Sequence, residues 1–300
     1  MLEPLNSRTI IFHRIGSSCL KSENFKSNLL SILKKYKKCA NILIVSALPT
    51  VTDLLIKITK SNDIDKRRFL LEQIKIKYQT KASNILETNQ LHSYNEFLDK
   101  NISILTRLII KTPIPYNEVV FQGEFLSTEL LRRFLSFKFE SSIFIDAEHL
   151  VRVKSSQPEI IFELNGIINC IKHNLIPRLR KTNIVLIPGF YGIDSFQNIV
   201  LFSRNGSDIT AAVLANALAS FFSVKIYFWK DVDGIYEENP KSNPNAKKID
   251  KISYKEFLER FTDIHAVIHP ETVLIASEKH IKLFIRNFDT PETEDYSMIG

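Results

Sequence analysis

One stretch, residues 198–216, reading NIVLFSRNGSDITAAVLAN, limits the folds open to this chain more than any other. A strand-like run, residues 199–202, enters the turn Ser203-Arg204-Asn205-Gly206. An Ala-rich helix is expected from about Ile209, capped by Ser207 or Asp208, because Ser and Asp accept hydrogen bonds from the free N–H groups of a first helical turn. Gly206 permits a sharp turn and a close approach of ligand to backbone. The positive end of a helix favours an anion in front of it, and Arg204 adds a planar cationic fork suited to a carboxylate or a phosphate. A strand, a glycine turn and a capped helix thus make a candidate anion site in an α/β protein. Similar turns also bind nothing, and this stretch alone does not decide between the two.

The same unit recurs along the chain. Strand-like runs at 9–12, 41–45, 142–145, 184–187, 224–229 and 282–286 alternate with helical spacing at 23–36, 127–137, 158–174, 253–261 and 271–279, and residues 61–111 read as polar, basic helix. Such alternation is most economically met by a mostly parallel central sheet covered on both faces, a three-layer αβα sandwich. Of only 8 glycines, all but Gly166 and Gly300 fall in short turns beside strand-like runs. That is where open α/β sheets bind ligands and where backbone must come close.

Three hundred residues at 44% hydrophobic and 24% charged suffice for a packed core in one large or two modest domains. The net charge of +7 is concentrated in helical patches such as Lys34-Lys35-Tyr36-Lys37-Lys38 and Lys66-Arg67-Arg68. These read as solvated faces rather than a nucleic-acid surface, and a basic surface suits anionic ligands. Three widely spaced cysteines, Cys19, Cys39 and Cys170, make neither a metal set nor a disulfide framework, as expected of a reducing cytoplasm. Neither a membrane-length apolar run nor a signal-peptide pattern is present, so no membrane partner is expected.

In chain order the polar turns are His13-Arg14-Ile15-Gly16-Ser17-Ser18, Val45-Ser46-Ala47 with Val51-Thr52-Asp53, Gly123-Glu124, Gly189-Phe190-Tyr191-Gly192, Ser203-Arg204-Asn205-Gly206-Ser207-Asp208, residues 230–236, and His269-Pro270. As an ordered set they resemble the KFGGTS, VSA-x-x-x-VTD, GE, GF-x-G, G-R-x-G-S-D, T-D-V-D-G-x-Y and H-P motifs of the aspartate kinase catalytic domain, in the amino acid kinase family. The resemblance runs nearly end to end. Its wording is closest to the kinase half of bifunctional aspartokinase–homoserine dehydrogenases.

The resemblance implies transfer of the γ-phosphoryl group of ATP, with Mg²⁺, to the β-carboxylate of L-aspartate. It implies that Arg204 grips a substrate carboxylate and Glu124 the amino group, with Ser46, Thr52 and Ser207 at the substrate end. Asp208, Arg204, His13 and Arg14 would organise the catalytic charge. Gly16, Ser17, Gly189, Gly192 and Gly206 would cradle phosphates, and Lys230, Asp231, Tyr236 and Lys241 would border the nucleotide. Residues 1–182 would form the amino-acid-binding lobe and residues 183–300 the nucleotide-binding lobe of one domain, with no resident metal site.

The chain departs from the pattern at charged positions. The motif lysine after the first strand stands as His13 and the first motif glycine as Ile15. The lysine before His-Pro stands as Ala266, and the nucleotide-loop threonine as Lys230. Losing one transition-state cation costs on the order of 3 kcal/mol, so slow or altered catalysis is expected unless Arg14 or Lys230 compensates. Three readings stay open: an aspartate kinase, an amino acid kinase with another acidic substrate, and a pseudokinase that binds nucleotide or amino acid and regulates a partner. His13 reads equally as a phosphate ligand or as a buried histidine with satisfied hydrogen bonds. The sequence stops where the kinase domain of the family stops, so the regulatory ACT domains are not expected, and control would rest on a homodimer or a separate regulatory chain.

Overall fold

The computed structural model describes residues 4–139, 142–156, 159–203, 205–238, 243, 245–262 and 267–300. The elements run β1 (Ile10–Ile15), α1 (Phe25–Lys35), β2 (Ala40–Val45), α2 (Val51–Lys60), α3 (Ile64–Ile85), α4 (Thr88–Ile109), α5 (Tyr116–Val120), α6 (Gln122–Lys138) and β3 (Ser142–Phe144). A hairpin follows, β4 (Val153–Ser156) and β5 (Glu159–Phe162), then α7 (Leu164–Cys170), a π-helical turn and α8 (Ile176–Leu179). Next come β6 (Ile184–Pro188), a second hairpin of β7 (Tyr191–Ile193) and β8 (Ile199–Leu201), α9 (Gly206–Ala219) and β9 (Val224–Lys230). The chain closes with the ribbon β10 (Ile235–Tyr236) and β11 (Lys248–Ile249), then β12 (Lys251–Ile252), α10 (Tyr254–Arg260), α11 (Pro270–Ser277), β13 (Leu283–Asn287) and β14 (Ser297–Ile299).

Eight strands form one sheet in the order β12-β14-β13-β9-β1-β2-β6-β3. All its pairings are parallel except β13 with β14. Strand side chains alternate between two faces, so each buried strand feeds two cores. Ile10 and Phe12 of β1, Ile42 and Ile44 of β2 and Phe228 of β9 pack with α7, α9 and α11. Ile11 and Ile15, Leu43 and Val45, and Trp229 pack with α1, α2, α3, α4 and α6. This is the expected three-layer sandwich. β1 lies between β9 and β2, so the two halves of the chain share one sheet. Among the described residues no helix is long and apolar enough to cross a membrane. Cys19, Cys39 and Cys170 are free thiols.

Four local expectations are corrected. The run at 199–202 is not a sheet strand: β8 is three residues long and pairs only with β7. Within 158–174 the chain first makes β5 and turns helical only at Leu164. Gly123 and Glu124 lie inside the first turn of α6 rather than ahead of it. Residues 13–15 continue β1 instead of forming a loop.

This last point settles the place of His13. It points to the face opposite α9, among Tyr36, Tyr227 and Trp229, with ring centroids 5.4, 6.0 and 6.3 Å away. The Trp229 indole N–H donates to its Nδ1 at 3.1 Å, so Nε2 carries the proton and donates to Asn41 Oδ1 at 2.9 Å. Both ring nitrogens are satisfied, and the side chain is fully buried. Burial, opposed by the Asn41 hydrogen bond and aided by the Arg286 charge, pulls its pKa down to about 4.

A histidine at about 4 in the fold and about 6.5 unfolded makes the unfolded chain the better proton binder between those values. Stability therefore falls as pH drops from about 6.5 to about 4, by up to ~3 kcal/mol from this group. Urea unfolding should show His13→Gln losing most of that acid sensitivity. An acid loss of equal size in wild type and variant would contradict the assignment.

Candidate active site

The C-terminal ends of β1 and β2 and the loop after β6 converge on one cleft of about 520 Å³, floored by the start of α9 and walled by the starts of α2 and α6. Short backbone hydrogen bonds lock the ends together. Ser46 N–H donates to Ile15 O at 3.2 Å, and Gly189 N–H to Val45 O at 3.1 Å. Thr210 on α9 receives the Phe190 N–H at 2.9 Å, which ties the loop after β6 to the helix.

α9 begins one turn earlier than its wording suggests. Asn205, in the left-handed region at φ 68°, is the residue before the helix, and neither Ser207 nor Asp208 is the cap. Both sit in the first turn with their side chains released for other contacts. Ser207 meets Ser46 Oγ at 3.2 Å. Asp208 has no solvent exposure and holds two cations. Arg14 Nε lies 2.5 Å from its Oδ1 and Lys230 Nζ 3.3 Å from its Oδ2. Arg14 follows Phe12 onto the α9 face, and Lys230 follows Phe228 there, so strand alternation delivers both. Burial pulls the Lys230 pKa down, with the Arg14 charge adding to the pull and Asp208 opposing it.

The cleft's other wall carries Glu124, buried, with Oε2 free of hydrogen bonds. Burial pushes its pKa up to about 8, against the neighbouring N–H groups of Ala47 and Glu124 itself and the charge of Arg14. Tyr78 of α3 fixes this turn by donating to Gly123 O at 2.6 Å, with Ser127 Oγ at 3.0 Å.

Every glycine in the chain has ordinary φ. The left-handed positions that rim the cleft belong to Thr50, Phe190 and Asn205 instead, at φ 68°, 82° and 68°. Such conformations cost roughly 1–3 kcal/mol each in non-glycine residues and gather at functional sites. The glycines provide close approach. A Cβ on Gly189 would stand 2.5 Å from Ser207 Oγ and 2.8 Å from Ser207 Cα, and one on Gly206 2.7 Å from Phe202 Cβ.

Of the residues singled out in the sequence, Arg14, Ser17, Ser46, Thr52, Glu124, Gly206 and Ser207 line the cleft. Asp208 and Lys230 lie directly behind it, and Gly16 and Gly189 are in its loops. His13 is removed to the opposite face of the sheet. Gly192 is also removed: it is buried in β7, where a Cβ would stand 2.8 Å from Val151 O. Asp231 follows Lys230 in the loop to β10, where Tyr236 donates to Asp233 at 2.7 Å. Arg204, Lys241 and Ala266 lie outside the described residues. Sequence reasoning missed Thr50, Asn205 and Thr210; only Asn205, as an Asn before Gly, carried a local signal for left-handed backbone.

A family model matches residues 9–287 as amino acid kinase. The chain belongs to the amino acid kinase family. Within the family it is 27% identical over 252 residues to the lysine-sensitive aspartokinase 3 of Escherichia coli (strain K12), an overlap covering 83% of this chain and 55% of that protein. It is 26% identical over 286 residues to a bifunctional aspartokinase/homoserine dehydrogenase of Buchnera aphidicola, covering 91% of this chain and 34% of that one. The crystal structure of E. coli aspartokinase III in complex with aspartate and ADP (R-state) superposes with a TM-score of 0.85 at 24% identity, covering 97% of this chain and 64% of that one. The chain therefore spans between about a third and two thirds of these relatives. The superposition establishes the shared sandwich.

Gly189 gives the sharpest local test of this packing. Gly189→Ala drives a methyl into the backbone of Ser207, which cannot yield as a flexible side chain would. Thermal unfolding should show a loss of about 1–3 kcal/mol. An unchanged melting temperature would contradict the close approach of the β6 loop to α9.

Proposed function

We propose that this chain is an ATP-dependent phosphotransferase of the aspartate kinase type. A β-carboxylate oxygen of L-aspartate attacks the γ-phosphorus of ATP, the bond to the β,γ-bridging oxygen breaks, and 4-phospho-L-aspartate and ADP leave. The observation that carries this reading is the pairing, across one cleft, of the Glu124 carboxyl with the Arg14 cation, which is held on Asp208 with Lys230 behind it. An amino acid that accepts a phosphoryl group needs both: an acceptor for its ammonium and positive charge where phosphate oxygens gather. Glu124, with a pKa near 8, is largely protonated at neutral pH. An arriving ammonium favours its ionised form.

Arg14 bears on the charge the motif comparison finds missing. KFGGTS also fits one residue later, with Arg14 at the lysine, Ile15 at the phenylalanine, Gly16 and Ser17 at the glycines, and Ser18 and Cys19 at Thr-Ser. In that register a cation stands at the motif position and no β-branched residue replaces a glycine. This favours turnover over a role limited to binding. Arg204 is proposed to grip a carboxylate of the substrate. The amino acid would be held mainly by residues 1–182 and the nucleotide by residues 183–300.

ATP supplies the phosphoryl group, and Mg²⁺ offsets phosphate charge when bound. The tight turns at Gly189 and Gly206, which a Cβ would fill, fit a phosphate chain lying against backbone. Mg²⁺ would be carried mainly on the nucleotide phosphates, as a hard cation that usually takes only one or two protein carboxylates.

The test is a hydroxylamine-trapping assay with Mg-ATP and L-aspartate, with L-glutamate in parallel. Wild type should give aspartyl hydroxamate. Arg14→Ala should lose about 10²–10³-fold in kcat, the scale of one oriented transition-state donor. Arg14→Lys should keep most of the activity, and His13→Lys should gain none. No product from wild type, or full activity in Arg14→Ala, would overturn the proposal.

A further inference from the structure

A second cavity, of about 620 Å³, opens between the start of α1 and the C-terminal half of α3. It lies beyond the Leu48-Pro49 turn from the cleft, and Leu48 lines both. Its wall is mixed: the exposed Ile76 and the buried Leu20, Phe25 and Ile85 stand beside Ser22, Thr80 and Asn84. Its rim carries four lysines, Lys21, Lys26, Lys77 and Lys81, against a single acidic residue, Glu23. Among the described residues none of the four makes an ion pair with a carboxylate. Lys21, Lys26 and Lys77 are exposed, so these three cations are not spent on packing α1 against α3.

Lys81 is the informative member. It is half-buried, with Nζ 4.6 Å from the centroid of the Phe25 ring. Burial pulls its pKa down to about 8, and no carboxylate offsets the effect. A desolvated ammonium without a counter-ion gains most from an anion brought to it.

We propose that this cavity is a second ligand site, for a small phosphate monoester carrying an apolar or aromatic body. The phosphate sits among Lys81, Lys77 and Lys26, and the body lies against the exposed Ile76, beside Pro49. The volume falls within the range of small-molecule sites, and four lysines on one rim favour a dianion over a neutral ligand.

Isothermal titration of phenyl phosphate into the full chain tests this, with inorganic phosphate and phenol as headgroup-only and body-only probes. Wild type should bind phenyl phosphate at least about tenfold more tightly than either fragment. Lys81→Met should weaken binding by about tenfold or more, Lys81→Arg should restore it to within about threefold, and Ser46→Ala, in the cleft, should leave it unchanged. If Lys81→Met fails to fold, Lys26→Ala/Lys77→Ala, altered only at exposed side chains, carries the same expectation. The proposal is overturned by no binding in wild type, by binding unaffected in the lysine variants, or by binding lost in Ser46→Ala alone, which would place the ligand in the cleft.

Discussion

Asp208 is a carboxylate with no exposure to water, on a helix buried on all sides, and a charge so placed must be neutralised by fixed neighbours. Its two cations come from strands adjacent in the sheet, Arg14 at the end of β1 and Lys230 at the end of β9. The N-terminal turn of α9 adds the favourable end of the helix dipole. This one interaction fixes the register of β1 and β9 against the helix. It also holds two positive groups at the edge of the cleft without leaving them exposed to screening.

The surrounding fold serves that arrangement. β1 runs through the middle of the sheet, so both halves of the chain bear on its position. Its alternation divides labour cleanly. Arg14 faces α9 and the charge cluster, whereas His13 faces an aromatic core, neutral and saturated with hydrogen bonds. Glu124 approaches from the other layer through α6, positioned by Tyr78 of α3. The cleft thus joins the two cores at the one edge where parallel strands leave room between their connections. Three left-handed residues on its rim show that the surrounding packing sustains local strain there.

The sandwich was legible because buried parallel strands such as ANILIV and VKIYFW are continuous apolar runs, and α9 announces itself by its alanines. The order of turns located the cleft. What was not legible depends on single-residue register and on partners distant in sequence. Whether residue 13 or 14 faces the helix depends on where β1 ends, and the strand runs three residues past its apolar core because His13 finds Asn41 and Trp229. IVL at 199–201 reads like a sheet strand but lacks the length, and it pairs locally with β7. The glycine turns invited a reading of conformational freedom. Tertiary packing instead forces Thr50, Phe190 and Asn205 into that role and uses glycine for closeness.

The most direct test of this account is a double-mutant cycle on Arg14→Met and Asp208→Asn, read by urea unfolding. Each single change leaves a buried charge without its main partner and should cost about 3 kcal/mol or more. The double variant should be less destabilised than the sum of the two by more than about 1 kcal/mol, as for residues in direct contact. Additivity to within about 0.5 kcal/mol would contradict the claim that the site is organised around this pair.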